Sequence, residues 1–315
     1  MKTPSNLYKY LSFNENTIET LTLHKAYYSD PINFNDPLDC KPVISIDVDD
    51  DVLEKVVCGL IKKRSEKEFS ILAKKLKMKK EAIAQRVSLL SETEVKKFLN
   101  DVNYYSTDPE VNDALNYKRY RYKETIEREI LSVFRRGILC LSKKFDSPLM
   151  WSHYANNHKG LCIEYDMEYS GINKAKKIIY GGSRELKVSL IEKWLNCGVM
   201  PEEIENVCLL TKSKEWYYES EWRLFGQVGV SGVDAKIKSI IFGLNCKDTT
   251  KAIVINTMAK AVSKVKFWEI INDGVGFRLV RKRVDSKEYM NRFENILSQG
   301  EITKMLEVTD DDLKD

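Results

Sequence analysis

The sequence predicts an α+β protein, a mixed or split antiparallel sheet core interrupted by a helical insertion. Three observations lead there. Short apolar or alternating runs bounded by turn residues recur from Gly137 onward, as in Gly137-Ile-Leu-Cys-Leu-Ser142 and Gly160-Leu-Cys-Ile-Glu-Tyr165. Residues 49–136 carry an almost unbroken helical period. After residue 137 the strands and helices follow no regular β-α alternation, which argues against a doubly wound sheet. The expected division is a core of residues 1–46 and 137–315 with 47–136 as the insertion.

Along the chain, Asn14-Glu-Asn-Thr-Ile18 reads as a helix start and Ser29 to Pro37 as a turn-rich loop. Asp49 to Asp51 supply N-caps for a helix whose Leu53, Val56, Val57, Leu60 and Ile61 share one face. Further apolar stripes fall at Phe69/Leu72/Leu76, at Val95/Phe98/Leu99/Val102 and at Ile126/Ile130/Phe134. Strands are expected at 137–142, 160–165, 177–180, 221–228, 237–242, 265–271 and 277–283. Helices are expected at 184–196, 202–213, 248–263 and 286–299. Gly274 and Gly276, between two strand runs, suit a hairpin.

Composition narrows the class. The 315 residues are 43% hydrophobic and 31% charged, and no apolar run approaches the ~18 to 20 residues of a membrane span. MKTPSNLYKYLSF lacks a signal-peptide core, and seven scattered cysteines without a C-x-x-C pair fit reduced thiols, so a cytoplasmic protein is expected. The net charge of +4 is unevenly spread. Lys62 to Arg86 holds ten basic and three acidic residues, and Asn116 to Arg136 holds seven and three, interleaved with Tyr117, Tyr120 and Tyr122. Such an insertion offers phosphate contacts and stacking to a nucleic-acid partner, or a docking face to a protein; the competing reading is a solvated helix surface.

Three blocks concentrate reactive side chains. The first joins Leu7-Tyr-Lys-Tyr10 to Phe34-Asn-Asp-Pro-Leu-Asp39. The second, Ser142 to His158, contains two of the three histidines, His153 and His158, with Ser152 and Tyr154. In the third, Lys214 to Leu224, Glu219 and Glu221 stand two apart where a strand is expected to begin. Period-2 geometry places both carboxylates and Arg223 on one face. Two close carboxylates raise one pKa, and Arg223 opposes that rise.

The strings LYKY, FNDPLD, LMWSHYANNHKGLCIEYD and YYESEWRLF together resemble the bacterial domain of unknown function 2971 (DUF2971) family, best over residues 7–46 and 139–245. The order of the blocks also resembles, more distantly, ADP-ribosyltransferases, whose split sheet grips NAD. That resemblance implies that NAD is the substrate and that no metal is needed. It implies that Glu221 stabilises an oxocarbenium-like state, that Glu219 handles the acceptor, and that His153 assists. Tyr8, Lys9 and Tyr10 would take the first-strand position, with Lys9 where the family has Arg or His. Tyr154 and Ser152 would form the second motif, with Tyr154 on the nicotinamide. Asn35, Asp36 and Arg223 would complete the cofactor contacts. A toxin or anti-phage effector is the setting that such families imply. Two other classes stay open on the residues themselves. One is a metal-dependent phosphodiesterase gathering Asp36, Asp39, His153, His158, Glu219 and Glu221. The other is a non-catalytic binding module whose aromatic blocks are core.

Overall fold

The computed structural model describes residues 3–76, 80–169, 175–261 and 265–289. In chain order its elements are β1 (Asn6–Leu11), α1 (Glu15–Leu23), β2 (Lys25–Tyr28), β3 (Val43–Ser45), α2 (Asp50–Lys75), α3 (Lys80–Ser106) and α4 (Ala114–Val133). There follow β4 (Gly137–Ser142), α5 (Pro148–Tyr154), β5 (Leu161–Asp166), β6 (Lys176–Lys177), β7 (Ile179–Tyr180), β8 (Glu185–Lys187), α6 (Val188–Cys197) and α7 (Glu202–Glu205). The last are β9 (Thr211–Lys212), β10 (Glu221–Gly226), β11 (Gly229–Gly232), β12 (Lys236–Phe242), α8 (Asp248–Ala261), β13 (Lys266–Asn272) and β14 (Leu279–Arg283). They form two compact units, residues 1–30, 137–178 and 215–315, and residues 31–136 and 179–214. The helical stretch therefore shares its unit with 31–46 and 179–214, segments read from sequence as part of the sheet core.

The first unit is built on an eight-stranded sheet ordered β14-β13-β12-β5-β1-β4-β10-β6. All neighbours are antiparallel except β12 and β13, so the sheet is mixed. Alternation gives its two faces different chemistry. One face carries Leu7, Leu139, Leu141, Leu161, Ile163, Trp222, Leu224 and Phe242, and it packs with Leu21 of α1 and Val254, Ile255 and Met258 of α8. This is the main apolar core of the unit. The opposite face carries Tyr8, Tyr10, Cys162, Ile241 and Ile270, covered by Met150 and Trp151 of α5. Embedded in that second face are Ser142, Glu164, Glu221, Arg223 and Ser239, all buried.

Local sequence sets the ends of these elements. Asn14 caps α1 by accepting a hydrogen bond from the Thr17 amide at 3.0 Å. Ser147 caps α5, and Pro148 fills its first turn, where no amide donor is needed. The hairpin expected around Gly274 and Gly276 joins β13 to β14, with Gly274 at φ +80°. The helix expected at 286–299 is seen for 286–289; the remainder lies outside the described residues.

The second unit is centred on α2, which packs against α3, α4 and α6. Leu53, Val56, Val57, Leu60 and Ile61 of α2 and Ile126 and Ile130 of α4 are buried, as their spacing predicts. The Phe69/Leu72/Leu76 stripe behaves otherwise, with Leu72 at 52% and Leu76 at 65% exposure. Some of the basic side chains are neutralised by acids of the same unit: Arg64 pairs with Glu68 and Glu129, Lys62 with Glu92, and Arg119 with Asp50. Two-stranded parallel pairs β3-β8 and β7-β9 complete the unit. The single strand expected at 177–180 is thus divided between the two units, β6 in the first and β7 in the second.

Candidate functional site

Strand β1 pairs with β5 along its whole length, from Asn6–Asp166 to Leu11–Leu161. Toward β4 the ladder is one pair, Tyr8–Ser142. Beyond Tyr8 the backbone edge of β1 is open on that side, and the Lys9 ammonium bridges the gap, donating to the Cys140 carbonyl at 3.2 Å. A cavity of about 280 Å³ lies beside this free stretch, lined by Lys9, Tyr10, Asn14, Tyr27, Ser29 and Tyr154 among others. Its size is close to the lower end of small-ligand sites, ~300 to 1,000 Å³. An ammonium, an amide, hydroxyls and aromatic faces converge on it, which suits a polar ligand with one flat ring and one anionic group.

Behind Tyr154 stands a carboxylate. The Tyr154 hydroxyl donates to Glu219 Oε1 at 2.6 Å, and Ser142 Oγ donates to the Glu219 carbonyl, also at 2.6 Å. Glu219 ends a 3₁₀ turn over Lys214–Glu219, and Ser220 follows at φ +47°. Strand β10 begins only at Glu221. The expected geometry, Glu219 and Glu221 two apart on one strand and sharing a face, is therefore not what forms. The left-handed Ser220 breaks the period between them.

Glu221 belongs to the sheet. Arg223 Nε donates to Glu221 Oε1 at 2.7 Å and its second amine nitrogen donates to Oε2 at 3.3 Å, a two-pronged pair with the guanidinium fully buried. Here the same-face expectation for Glu221 and Arg223 holds. Burial pushes the neighbouring Cys140 thiol well above the ordinary range, and the Glu221 charge pushes it the same way. Both effects disfavour the thiolate, the reactive form of the side chain.

The histidine block folds as a short helix and a tight loop. Ser152 and Tyr154, assigned to a second-strand motif by the transferase resemblance, lie instead on α5. Ser152 Oγ donates to the Pro148 carbonyl at 3.0 Å and lies 3.3 Å from His158 Nε2. His153 is exposed, its ring near those of Tyr154 and Tyr218 at 6.3 and 6.1 Å. Asn156, Asn157 and His158 are all left-handed, with φ of +49°, +52° and +65°. His158 stacks on Trp151, and burial lowers its pKa; Nδ1 is buried without a hydrogen-bond partner among the described residues. The neutral imidazole is the form that fits, because protonation would put an unsatisfied N–H there.

The remaining first-strand residues divide by face. Lys9 reaches the cavity from the apolar side of the sheet; Tyr8 and Tyr10 lie on the other face, and of these two Tyr10 also lines the cavity. Tyr10 donates to the Lys144 carbonyl at 2.9 Å and meets Trp151 edge-on at 5.1 Å. Tyr8 donates to Glu164 at 3.4 Å, and burial first, then the Glu164 charge, pushes its phenol up to about 12. Asn35 and Asp36 are in the second unit, where Asp36 Oδ1 accepts from the Leu38 amide at 2.9 Å in a turn. Nearby, buried Asp39 pairs with buried Lys212 at 3.4 Å. No group of three or more His, Cys, Asp or Glu placed to hold a metal ion occurs among the described residues.

Two residues, Asn14 and Glu164, take places that local sequence does not announce. Asn14 was legible as a helix cap but not as a cavity wall. Glu164 is buried and accepts from Ser239 Oγ and, at 3.1 Å, from Arg281. A lone acid inside the apolar run LCIEYD was the available signal.

Residues 150–224 match a family model described as a protein of unknown function, DUF2971. The match covers α5, its loop and the strand carrying Glu221 and Arg223, and it supports the resemblance drawn from MWSHYANNHKG and YYESEWRLF. No curated protein and no solved structure matches the chain.

Proposed function

We propose that the chain is an ADP-ribosyltransferase-like enzyme that uses NAD to modify a macromolecule. The observation that carries this reading is the opening of the sheet between β1 and β4, with a polar cavity beside it and Glu219 one hydrogen bond behind the cavity wall. In this reading the bond between nicotinamide nitrogen and ribose C1′ breaks, its electron pair leaving with neutral nicotinamide. The acceptor oxygen or nitrogen then bonds to C1′ and loses its proton to a carboxylate or water. Lys9 supplies a cation for the diphosphate, and Tyr154 a ring for the nicotinamide. Glu219, oriented by Tyr154, provides the negative charge that favours an oxocarbenium-like state. Glu221 is left a structural role, since Arg223 already holds both its oxygens. A toxin or anti-phage setting rests on the family resemblance alone.

The test is nicotinamide release from NAD by the purified protein, alone and with RNA, DNA or cell lysate as acceptor. Release is expected, and Glu219→Gln should reduce it on the order of 100- to 1000-fold, the usual cost of one well-placed electrostatic group. Tyr154→Phe, which keeps the ring but releases the carboxylate, should lower the rate at unchanged circular dichroism. Absence of NAD binding and of turnover under every condition would sink the reading.

A further inference from the structure

A second surface of the first unit goes unused in this scheme, and it stands whether or not NAD is consumed. It is the hairpin of β13 and β14, where β14 ends the sheet among the described residues. Residues 266–283 hold five basic side chains, Lys266, Arg278, Arg281, Lys282 and Arg283, against two acids. Both acids are engaged: Glu269 accepts from Lys251 at 2.9 Å, and Asp273 Oδ1 accepts from the Val275 amide at 3.1 Å. Arg278, Lys282 and Arg283 have no ion pair among the described residues. The hairpin therefore carries unbalanced positive charge along the outermost of the described strands.

The arginines of β14 are also ordered by aromatic rings. Tyr8 lies 5.6 Å from Phe145; the Arg281 guanidinium sits 5.0 Å from Phe145 and 4.7 Å from Trp268; Arg283 sits 5.2 Å over Trp268. Glu164 holds Arg281 from below at 3.1 Å. The result is a run of contacts, from the tilted Tyr8–Phe145 pair through Arg281 and Trp268 to exposed Arg283, in which each guanidinium lies against a ring. At the tip, Phe277 is 94% exposed on a turn fixed by Asn272, which bonds the Gly276 carbonyl and the Gly274 amide, each at 2.7 Å. An aromatic side chain fully in water costs free energy, and a fixed turn holds it there.

We infer that this hairpin binds single-stranded nucleic acid, with Arg278, Lys282 and Arg283 on phosphates and Phe277 stacking on a base. Charge complementarity favours a polyanion, and an exposed ring without a polar end favours unstacked bases over a closed duplex. A membrane surface would want a broader apolar patch than Val275 and Phe277 provide. The basic helices α2 and α4 are the weaker candidate, because their arginines are spent on internal ion pairs.

The experiment is fluorescence anisotropy with labelled oligo-dT and oligo-U over a salt series, using the full chain. Binding is expected to weaken with salt, and Arg278→Ala/Lys282→Ala/Arg283→Ala should reduce the slope of log K against log salt by about 2, at ~0.7 per lost contact. Phe277→Ala should weaken binding roughly 5- to 150-fold at every salt concentration while leaving the slope unchanged. These side chains are on the surface, so circular dichroism should match the parent. The inference is overturned by absence of binding at low salt. It is overturned equally by binding that survives these variants but is lost in Lys62→Ala/Lys63→Ala/Lys67→Ala. Anionic vesicles captured through Val275 and Phe277 while oligonucleotides are ignored would also overturn it.

Discussion

Glu221 is the carboxylate that a sequence comparison would mutate first, and its surroundings say what that mutation does. Its two oxygens accept from Arg223 at 2.7 and 3.3 Å, and the pair is buried within the sheet, Arg223 at 0% and Glu221 at 3% exposure. Removing one partner of a buried ion pair costs ~3 to 5 kcal/mol, because the remaining charge loses its compensation. Glu221→Ala should therefore lose about that much. Glu221→Gln keeps one oxygen in place to accept from Arg223 Nε, so its loss should be nearer that of one charged hydrogen bond, ~1.5 to 3 kcal/mol. Either is a large fraction of the ~5 to 15 kcal/mol by which domains are stable. Urea unfolding followed by tryptophan fluorescence and circular dichroism measures both values. Any drop in activity on mutating Glu221 must be read against them, whereas loss of activity in Glu219→Gln with intact stability would mark chemistry. If Glu221→Ala unfolds within about 1 kcal/mol of the parent, the pair is not structural and the assignment of roles to the two glutamates is wrong.

Three further outcomes are expected. An ideal Cβ on Gly243 would lie 2.1 Å from the His158 carbonyl oxygen, a backbone atom that cannot rotate away, so Gly243→Ala should cost ~1 to 3 kcal/mol in denaturant unfolding; a neutral result would show that the loop yields freely. At Asn157, φ +52°, Gly should change stability by less than about 0.5 kcal/mol while Ala should cost ~1 kcal/mol, and equal effects would contradict the left-handed backbone. Burial lowers the His158 pKa below its unfolded value of 6.5, so the unfolded chain binds the proton first: this contribution is whole above pH 6.5 and is lost as pH falls through the folded pKa. His158→Gln should flatten the decline in stability between pH 7 and 5, and parallel curves for parent and variant would refute the assignment.

Local periodicity made much of the scaffold legible. Strands β4, β5 and β12 and the buried stripe of α2 lie where apolar spacing put them, since each faces a single environment along its length. What escaped depends on single dihedrals or on distant partners. Nothing in the letters of Ser220 announces a left-handed residue, yet it removes Glu219 from the strand. The helix expected at 202–213 becomes α7, a π-helical segment over Asn206–Leu210 and strand β9, because Thr211 and Lys212 find a parallel partner in β7. The polar sheet face was illegible for a related reason. Glu164 is satisfied by Tyr8, Ser239 and Arg281, and Glu221 by Arg223, and both arginines are residues that hydropathy assigns to the surface.

The loop after α5 has a consequence for how likeness to this chain should be used. Gly160 comes so close to the Leu11 carbonyl that a Cβ would stand 2.1 Å from it, and the Asn245 amide reaches the His158 carbonyl at 3.0 Å. Main-chain contacts thereby help to fasten this loop, a clasp that accepts glycine where the strands meet and favours asparagine where the chain turns left-handed. The clasp also demands Trp151, whose indole donates to the Phe145 carbonyl at 2.7 Å. A string such as MWSHYANNHKG is thus spelled largely by mechanical needs. Another protein carrying it inherits the buckle and the sheet it closes, while Lys9 and the loop that delivers Glu219 remain free to differ, and with them the reaction.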